Sequence, residues 1–238
     1  MCGIVGFAAS GQLQVDRLPL AMAALQHRGP DGYGESIEGK VALGHTRLSI
    51  IDLEGGGQPL RSPCGRYVLI ANGEIYNYLE LRQELLALGA QFLTGSDCEV
   101  ILQGYALWGR NVLHRIEGMY AFALQDIQQG EVLLARDPLG MKPLYWTEST
   151  DGVRFASELK ALLALLHSTP DLNPLAIHQY IEAQHPLSDN TPFKGIKRVL
   201  AGEAMLIREG RCIEQWRFWR PNQIVAISQS DSVSALDD

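Results

Sequence analysis

A chain of 238 residues that is 46% hydrophobic and 20% charged carries enough apolar side chains to bury a large core, which excludes a disordered protein and predicts one domain with at most an appendage. Its 20 Lys and Arg stand against 27 Asp and Glu, and the net charge of -7 gives no electrostatic footing for nucleic acid or an anionic membrane surface. No apolar run reaches membrane-span length, no secretory leader is recognisable, and four cysteines without a C-x-x-C pair indicate neither a zinc site nor a disulfide framework, so a cytoplasmic protein is expected.

The chain opens Met1-Cys2-Gly3-Ile4-Val5-Gly6-Phe7, which reads as a buried strand over residues 2–9. If Met1 is removed, Cys2 combines a thiol nucleophile with its own base, an α-amine whose pKa is about 8. On these residues alone a plainer reading stands beside it, a cysteine that happens to follow the initiator. Residues 19–26 predict a short helix with Met22 and Leu25 on one face, and His27-Arg28-Gly29-Pro30-Asp31-Gly32 is dense enough in turn residues to be a loop. Residues 41–43 and 48–51 read as strand pieces flanking Gly44-His45-Thr46-Arg47, which places Arg47 near the mouth of a strand pair; Glu54-Gly55-Gly56-Gly57-Gln58-Pro59 is a loop.

A β-branched and aromatic strand over 67–71 is expected to stop at Asn72-Gly73-Glu74-Ile75-Tyr76-Asn77, a tight connection in which Asn-Gly by itself means a turn. Asn77 with Glu80 fits a capping box for a helix carrying Leu81, Leu85 and Leu88, with Gly89 at the stop. Ser96 with Glu99 fits a second, which puts Asp97 in the first turn of a helix with Ile101, Tyr105 and Trp108; capping accounts for Asp97 on local grounds. Strands over 119–126 and 131–136 form a hairpin through Gln128-Gln129-Gly130, followed by a rigid charged turn over 136–143 that leads into Leu144-Tyr145-Trp146. Ser157 is expected to cap a helix with Leu159, Leu162, Leu163 and Leu166, and Asn173-Pro174 to open another with Ile177, Tyr180 and Ile181, stripes assigned to the core. A closing hairpin joins 204–207 to 213–216, and beyond Pro221 the chain turns polar and small.

Met-Cys-Gly-Ile-Val-Gly at the start, His27-Arg28-Gly29-Pro30-Asp31, His45-Thr46-Arg47-Leu48-Ser49-Ile50, Asn72-Gly73-Glu74-Ile75-Tyr76-Asn77, Gly95-Ser96-Asp97-Cys98-Glu99 and Arg136-Asp137-Pro138-Leu139-Gly140 occur in that order. Together they resemble class II glutamine amidotransferases over about residues 2–219, most closely the glutaminase domain of glutamine-dependent asparagine synthetase. The resemblance implies an α+β fold of the N-terminal nucleophile hydrolase type, a four-layer αββα sandwich of two stacked, mainly antiparallel sheets flanked by helices. It implies a glutaminase domain over 2–220 and, over 221–238, a polar tail or linker stub toward a synthetase domain.

By the same resemblance Cys2 attacks the side-chain amide of L-glutamine, and the Asn72 side chain with the Gly73 backbone N–H forms the oxyanion hole. Arg47 grips the substrate α-carboxylate, while Asp97, Glu74 and a backbone carbonyl near Ile51 receive its α-ammonium, with Asn72 also touching substrate. No metal or cofactor is implied for this step. ATP and Mg belong to the synthetase domain, whose Ser-Gly-Gly-x-Asp-Ser loop does not occur here, and Ala201-Gly202-Glu203 replaces the usual Pro-Gly-His. The partners implied are L-glutamine and a synthetase domain or subunit that uses the ammonia to amidate an acceptor such as aspartate, with a homodimer as a further option. The alternative is a non-catalytic glutamine-sensing or docking module that keeps the fold and regulates a partner synthetase. An apolar partner face is expected around 136–146 and 185–203.

Overall fold

The computed structural model describes residues 1–52 and 55–221. In chain order its elements are β1 (Gly3–Ala9), α1 (Leu18–Leu25), β2 (Gly32–Glu38), β3 (Val41–Arg47), β4 (Leu60–Arg61), β5 (Tyr67–Ile75), α2 (Tyr78–Ala87) and α3 (Glu99–Trp108). After a 3-10 turn over Gly109–His114 come β6 (Gly118–Asp126), β7 (Glu131–Arg136), β8 (Tyr145–Ser149), β9 (Gly152–Ala156), α4 (Leu159–Ala164), α5 (Pro174–Ala183), β10 (Ile196–Arg198), β11 (Glu203–Arg208) and β12 (Arg211–Arg217). The strands form two antiparallel sheets of six, ordered β10-β8-β9-β1-β3-β2 and β12-β11-β7-β6-β5-β4.

Strand alternation decides which side chain enters which layer. In β1, Ile4 and Ala8 pack between the sheets while Val5 packs under α1 and α4; in β5, Val68 and Ile70 enter the inter-sheet core while Leu69 and Ala71 join the core under α2 and α3. The layers are therefore helix, sheet, sheet, helix, the αββα sandwich that the resemblance implies. Close approach sets one glycine: a Cβ at Gly6 would lie 2.3 Å from the Phe155 ring.

Two apparent turns are strands. β3 runs unbroken through Gly44-His45-Thr46-Arg47, paired with β1 on one side and β2 on the other, and residues 48–51 form a loop instead of a strand. β5 continues through Asn72-Gly73, opposite Ala121 and Tyr120 of β6. Ladder pairing overrides the local turn preference at both places. β2 has Gly32 and Gly34 among alternating polar residues and lies at a sheet edge, so its sequence carries little strand signal.

The predicted caps at Asn77, Ser96 and Ser157 do not form. The Asn77 side chain accepts from Glu117 N (3.0 Å) and donates to Arg115 O (2.9 Å), while the Glu99 carboxylate takes the N–H groups of Leu93 and Thr94 at 2.7 and 2.8 Å. Asp97 thus lies before α3, not in its first turn. Asn173 does cap α5 through Ala176 N, but Tyr180 and Ile181 of that helix are exposed, not core. The polar tail from residue 222 on lies outside the described residues, as do residues 53–54.

Candidate active site

Three interactions fix the start of the chain. Ile4 and Ser157 exchange two bonds, Ile4 N to Ser157 Oγ (3.0 Å) and Ser157 N to Ile4 O (2.8 Å), and Arg28 Nε donates to Cys2 O (2.9 Å). Arg28 is itself held by Glu158 at 2.8 Å. Burial raises the Glu158 carboxyl, but hydrogen bonds from Arg28 and His27 outweigh it and hold the group below the usual carboxylate range. The Cys2 Sγ accepts from Leu48 N at 3.4 Å and lies 3.6 Å from Leu48 O. A chain end held at backbone, thiol and following residue is a rigid platform.

Cys2 shares the parity of Ile4, Arg47 that of Leu43, and Asn72 with Glu74 that of Ile70, so the alternation that builds the inter-sheet core aims all four toward the gap between the sheets at one end. One pocket there is lined by Cys2, Arg47, Ile51, Asn72, Gly73, Glu74 and Asp97, together with Met1, Leu48, Gln58, Cys98 and Lys142. Every candidate residue of the sequence analysis is thus brought into a single cleft.

Arg47 donates to the carbonyls of Ile51 (3.3 Å) and Asp52, so the Ile51 carbonyl receives the guanidinium. Gly56 lies against that group, where a Cβ would approach the Arg47 terminal nitrogen to 2.7 Å. The Asp52 carboxylate accepts from Gly55 N (3.0 Å) and Gly95 N (2.8 Å), tying this loop to the segment before Asp97. Asp97, 5% exposed, accepts from Ile75 N at 2.8 Å; burial raises its carboxyl above the ordinary value, and the charge of Glu74 adds to this. Asn72 is 1% exposed, and its amide nitrogen has no hydrogen-bond partner among the described residues. Burial pushes the neighbouring Cys98 thiol well above its usual value, which keeps it protonated.

Several residues around this cleft were not singled out from sequence. His45 links the sheets through Nε2 and Ala71 O at 3.1 Å, and burial lowers its pKa to about 4, so it is neutral with the proton on Nε2, because a carbonyl only accepts. Gln58 brackets the same residue, accepting from Ala71 N (2.6 Å) and donating to Ala71 O (3.2 Å). The turn after β7 is built around Asp137, fully buried, which accepts from the N–H groups of Leu139, Met141 and Lys142 at 3.1, 2.9 and 3.0 Å. Arg136 closes it by donating to Lys142 O (2.6 Å), Gly140 O (2.6 Å) and Val199 O (2.7 Å). The available signal for His45 was strand parity; for Lys142 and Arg28 it lay only in the motifs that contain them.

Two six-stranded antiparallel sheets between helical layers, with the first strand delivering a cysteine to the end of the inter-sheet gap, define an N-terminal nucleophile hydrolase type of sandwich. Residues 1–219 match the glutamine amidotransferase domain, and the chain belongs to that family. It is 39% identical over 220 residues to asparagine synthetase (glutamine-hydrolyzing) 1 of Bacillus subtilis, covering 87% of this chain and 34% of that protein. To asparagine synthetase B (glutamine-hydrolyzing) of Escherichia coli it is 42% identical over 170 residues, covering 68% of this chain and 30% of that protein. The chain therefore spans about a third of the length of these relatives. Among solved structures, glutamine phosphoribosylpyrophosphate amidotransferase from B. subtilis, complexed with ADP and GMP, shares the fold with a TM-score of 0.65 at 24% identity, over 91% of this chain and 49% of that one.

Proposed function

We propose that this chain hydrolyses the side-chain amide of L-glutamine to glutamate and ammonia through Cys2, made N-terminal by removal of Met1. The observation that carries the reading is the buried Asn72 amide donor, without a partner among the described residues and lining the same pocket as the Cys2 thiol. A buried donor left unpaired costs about 1–3 kcal/mol, a cost relieved when a ligand oxygen accepts from it.

In the reaction the Cys2 α-amine takes the thiol proton and the thiolate attacks the amide carbon. The oxygen becomes an oxyanion, which accepts hydrogen bonds from the Asn72 side-chain amide and the Gly73 N–H. Collapse of the tetrahedral species breaks the C–N bond, and the amine returns its proton to the leaving ammonia. The amine then activates a water that cleaves the thioester and frees glutamate. Arg47 holds the α-carboxylate as a planar two-pronged donor, and Asp97 with Glu74 and the backbone at Ile51 receives the α-ammonium. Asparagine, one methylene shorter, does not reach Cys2 when both ends are clamped. No metal or cofactor takes part in this step.

The relatives' name, asparagine synthetase, supports an ammonia acceptor in a synthetase component that amidates aspartate; we propose that this component uses ATP and Mg, lies beyond a domain boundary near residue 220 and works in the cytoplasm. No helix among the described residues is long and apolar enough to cross a membrane. The test is glutamate release by purified protein whose N-terminus has been sequenced. Cys2→Ala is expected to abolish it with the melting temperature unchanged, and Cys2→Ser to leave little, because a hydroxyl is much harder to deprotonate. A fully active Cys2→Ala protein refutes the proposal.

A further inference from the structure

The pocket holds a second cation that the reaction above does not use. Lys142 is 6% exposed and lines the cleft with Cys2, Asn72 and Glu74, yet its ammonium makes no ion pair or hydrogen bond among the described residues. A cation at the wall of such a cleft loses part of its solvation, a cost that an anion forming in the cleft offsets. The surrounding turn fixes the backbone that carries this side chain. Asp137 binds the Lys142 N–H, Arg136 binds its carbonyl, and Asp137 is fully committed to the N–H groups of Leu139, Met141 and Lys142. This turn crosses from β7 in one sheet to β8 in the other, beside Ala121, the residue opposite both Asn72 and Arg136. The other charged groups of the pocket are Arg47, which binds Ile51 and Asp52, and the carboxylates Glu74 and Asp97, the latter held by Ile75.

We propose that Lys142 supplies the positive field for the anion that forms at Cys2, first the thiolate and then the tetrahedral oxyanion. It is an electrostatic positioning residue acting across the pocket, and the inference rests on Cys2 being the nucleophile. Between low-dielectric protein walls such a charge acts over several ångströms without touching the reacting atoms.

The field can be read without glutamine by comparing the alkylation of Cys2 by anionic iodoacetate and neutral iodoacetamide, followed by mass spectrometry of the N-terminal peptide of the full chain. Lys142→Met is expected to lower the iodoacetate-to-iodoacetamide rate ratio about tenfold, and Lys142→Arg to retain it. Lys142→Met should also lower kcat for glutamine about tenfold with KM little changed, where a purely structural side chain would leave the reagent ratio alone. Lys142→Gln provides the same comparison if the methionine variant does not fold. A ratio unchanged in the folded neutral variants overturns the proposal, as does a rise in KM alone. A wild-type protein alkylated at Cys2 but inert toward glutamine refutes the glutaminase reading, and the reagent ratio still decides whether Lys142 acts on Cys2.

Discussion

Arg47 and Asn72 occupy one pocket but are assigned to different stages of the reaction, and conservative changes separate them. Lysine keeps the charge of Arg47 but not its planar fork, so Arg47→Lys is expected to raise KM for glutamine about tenfold or more with a smaller effect on kcat. Asn72→Ala removes an oxyanion donor and should lower kcat about 100-fold or more with KM nearly unchanged. Steady-state kinetics of the two variants checks both, and an unchanged KM for Arg47→Lys would remove Arg47 from the carboxylate site. His45 offers a test by pH. Burial holds its pKa at about 4 against 6.5 ordinarily, so between these values the unfolded chain binds a proton that the folded chain does not. The stability this contributes is complete above about pH 6.5 and is lost as pH falls toward 4, by up to about 3 kcal/mol. His45→Gln keeps an N–H for Ala71 O and should show a flatter dependence of unfolding free energy on pH; equal slopes would mean that His45 does not titrate as described.

At the level of elements, side chains that look like caps of their own helices are used elsewhere. Asn77, Glu99 and Ser157 each match a capping pattern, but they hold Glu117 N, Leu93 N and Ile4 N respectively. Spacing along the chain cannot reveal a competing partner that only the fold supplies. The same limit explains why 44–47 reads as the stretch between two strand pieces: its glycine and polar residues are punctuation locally, but two flanking strands satisfy its backbone. What was legible was the set of co-ordered motifs, because Cys2, Arg47, Asn72, Glu74 and Asp97 are fixed by chemistry more than by propensity. The turn over 136–143 was recognisable as rigid and charged, but not that Asp137 would be its centre. Asp137→Ala leaves the N–H groups of Leu139, Met141 and Lys142 without their acceptor, and is expected to cost about 3 kcal/mol in urea unfolding. Loss of less than about 1 kcal/mol would show that water replaces the carboxylate without penalty.

Over the whole molecule, the inter-sheet core joins Ile4, Leu43 and Phe155 of one sheet to Ile70, Ala123 and Leu134 of the other, so the sandwich that positions the pocket is shared by both. The proposed glutaminase chemistry draws on nothing outside that sandwich, because the nucleophile, donors and clamps proposed here lie just before β1, on β3 and β5, in the loop after β3 and in the segment between α2 and α3. Amidation is different. The asparagine synthetase relatives are about three times longer than the matched region, and the expected apolar partner face is only partly present: Leu139, Met141 and Leu187 are exposed, whereas Leu144, Trp146 and Val199 are buried. If the synthetase step resides in the unmatched part of such proteins, this chain as the only protein should release ammonia and glutamate in equal amounts, with no need of ATP or Mg. Adding aspartate, ATP and Mg should leave that ratio unchanged and yield neither asparagine nor AMP, as measured by coupled ammonia assay and chromatography of the products. Asparagine formed under these conditions would place the acceptor chemistry within residues 1–238 and overturn the division of labour proposed here.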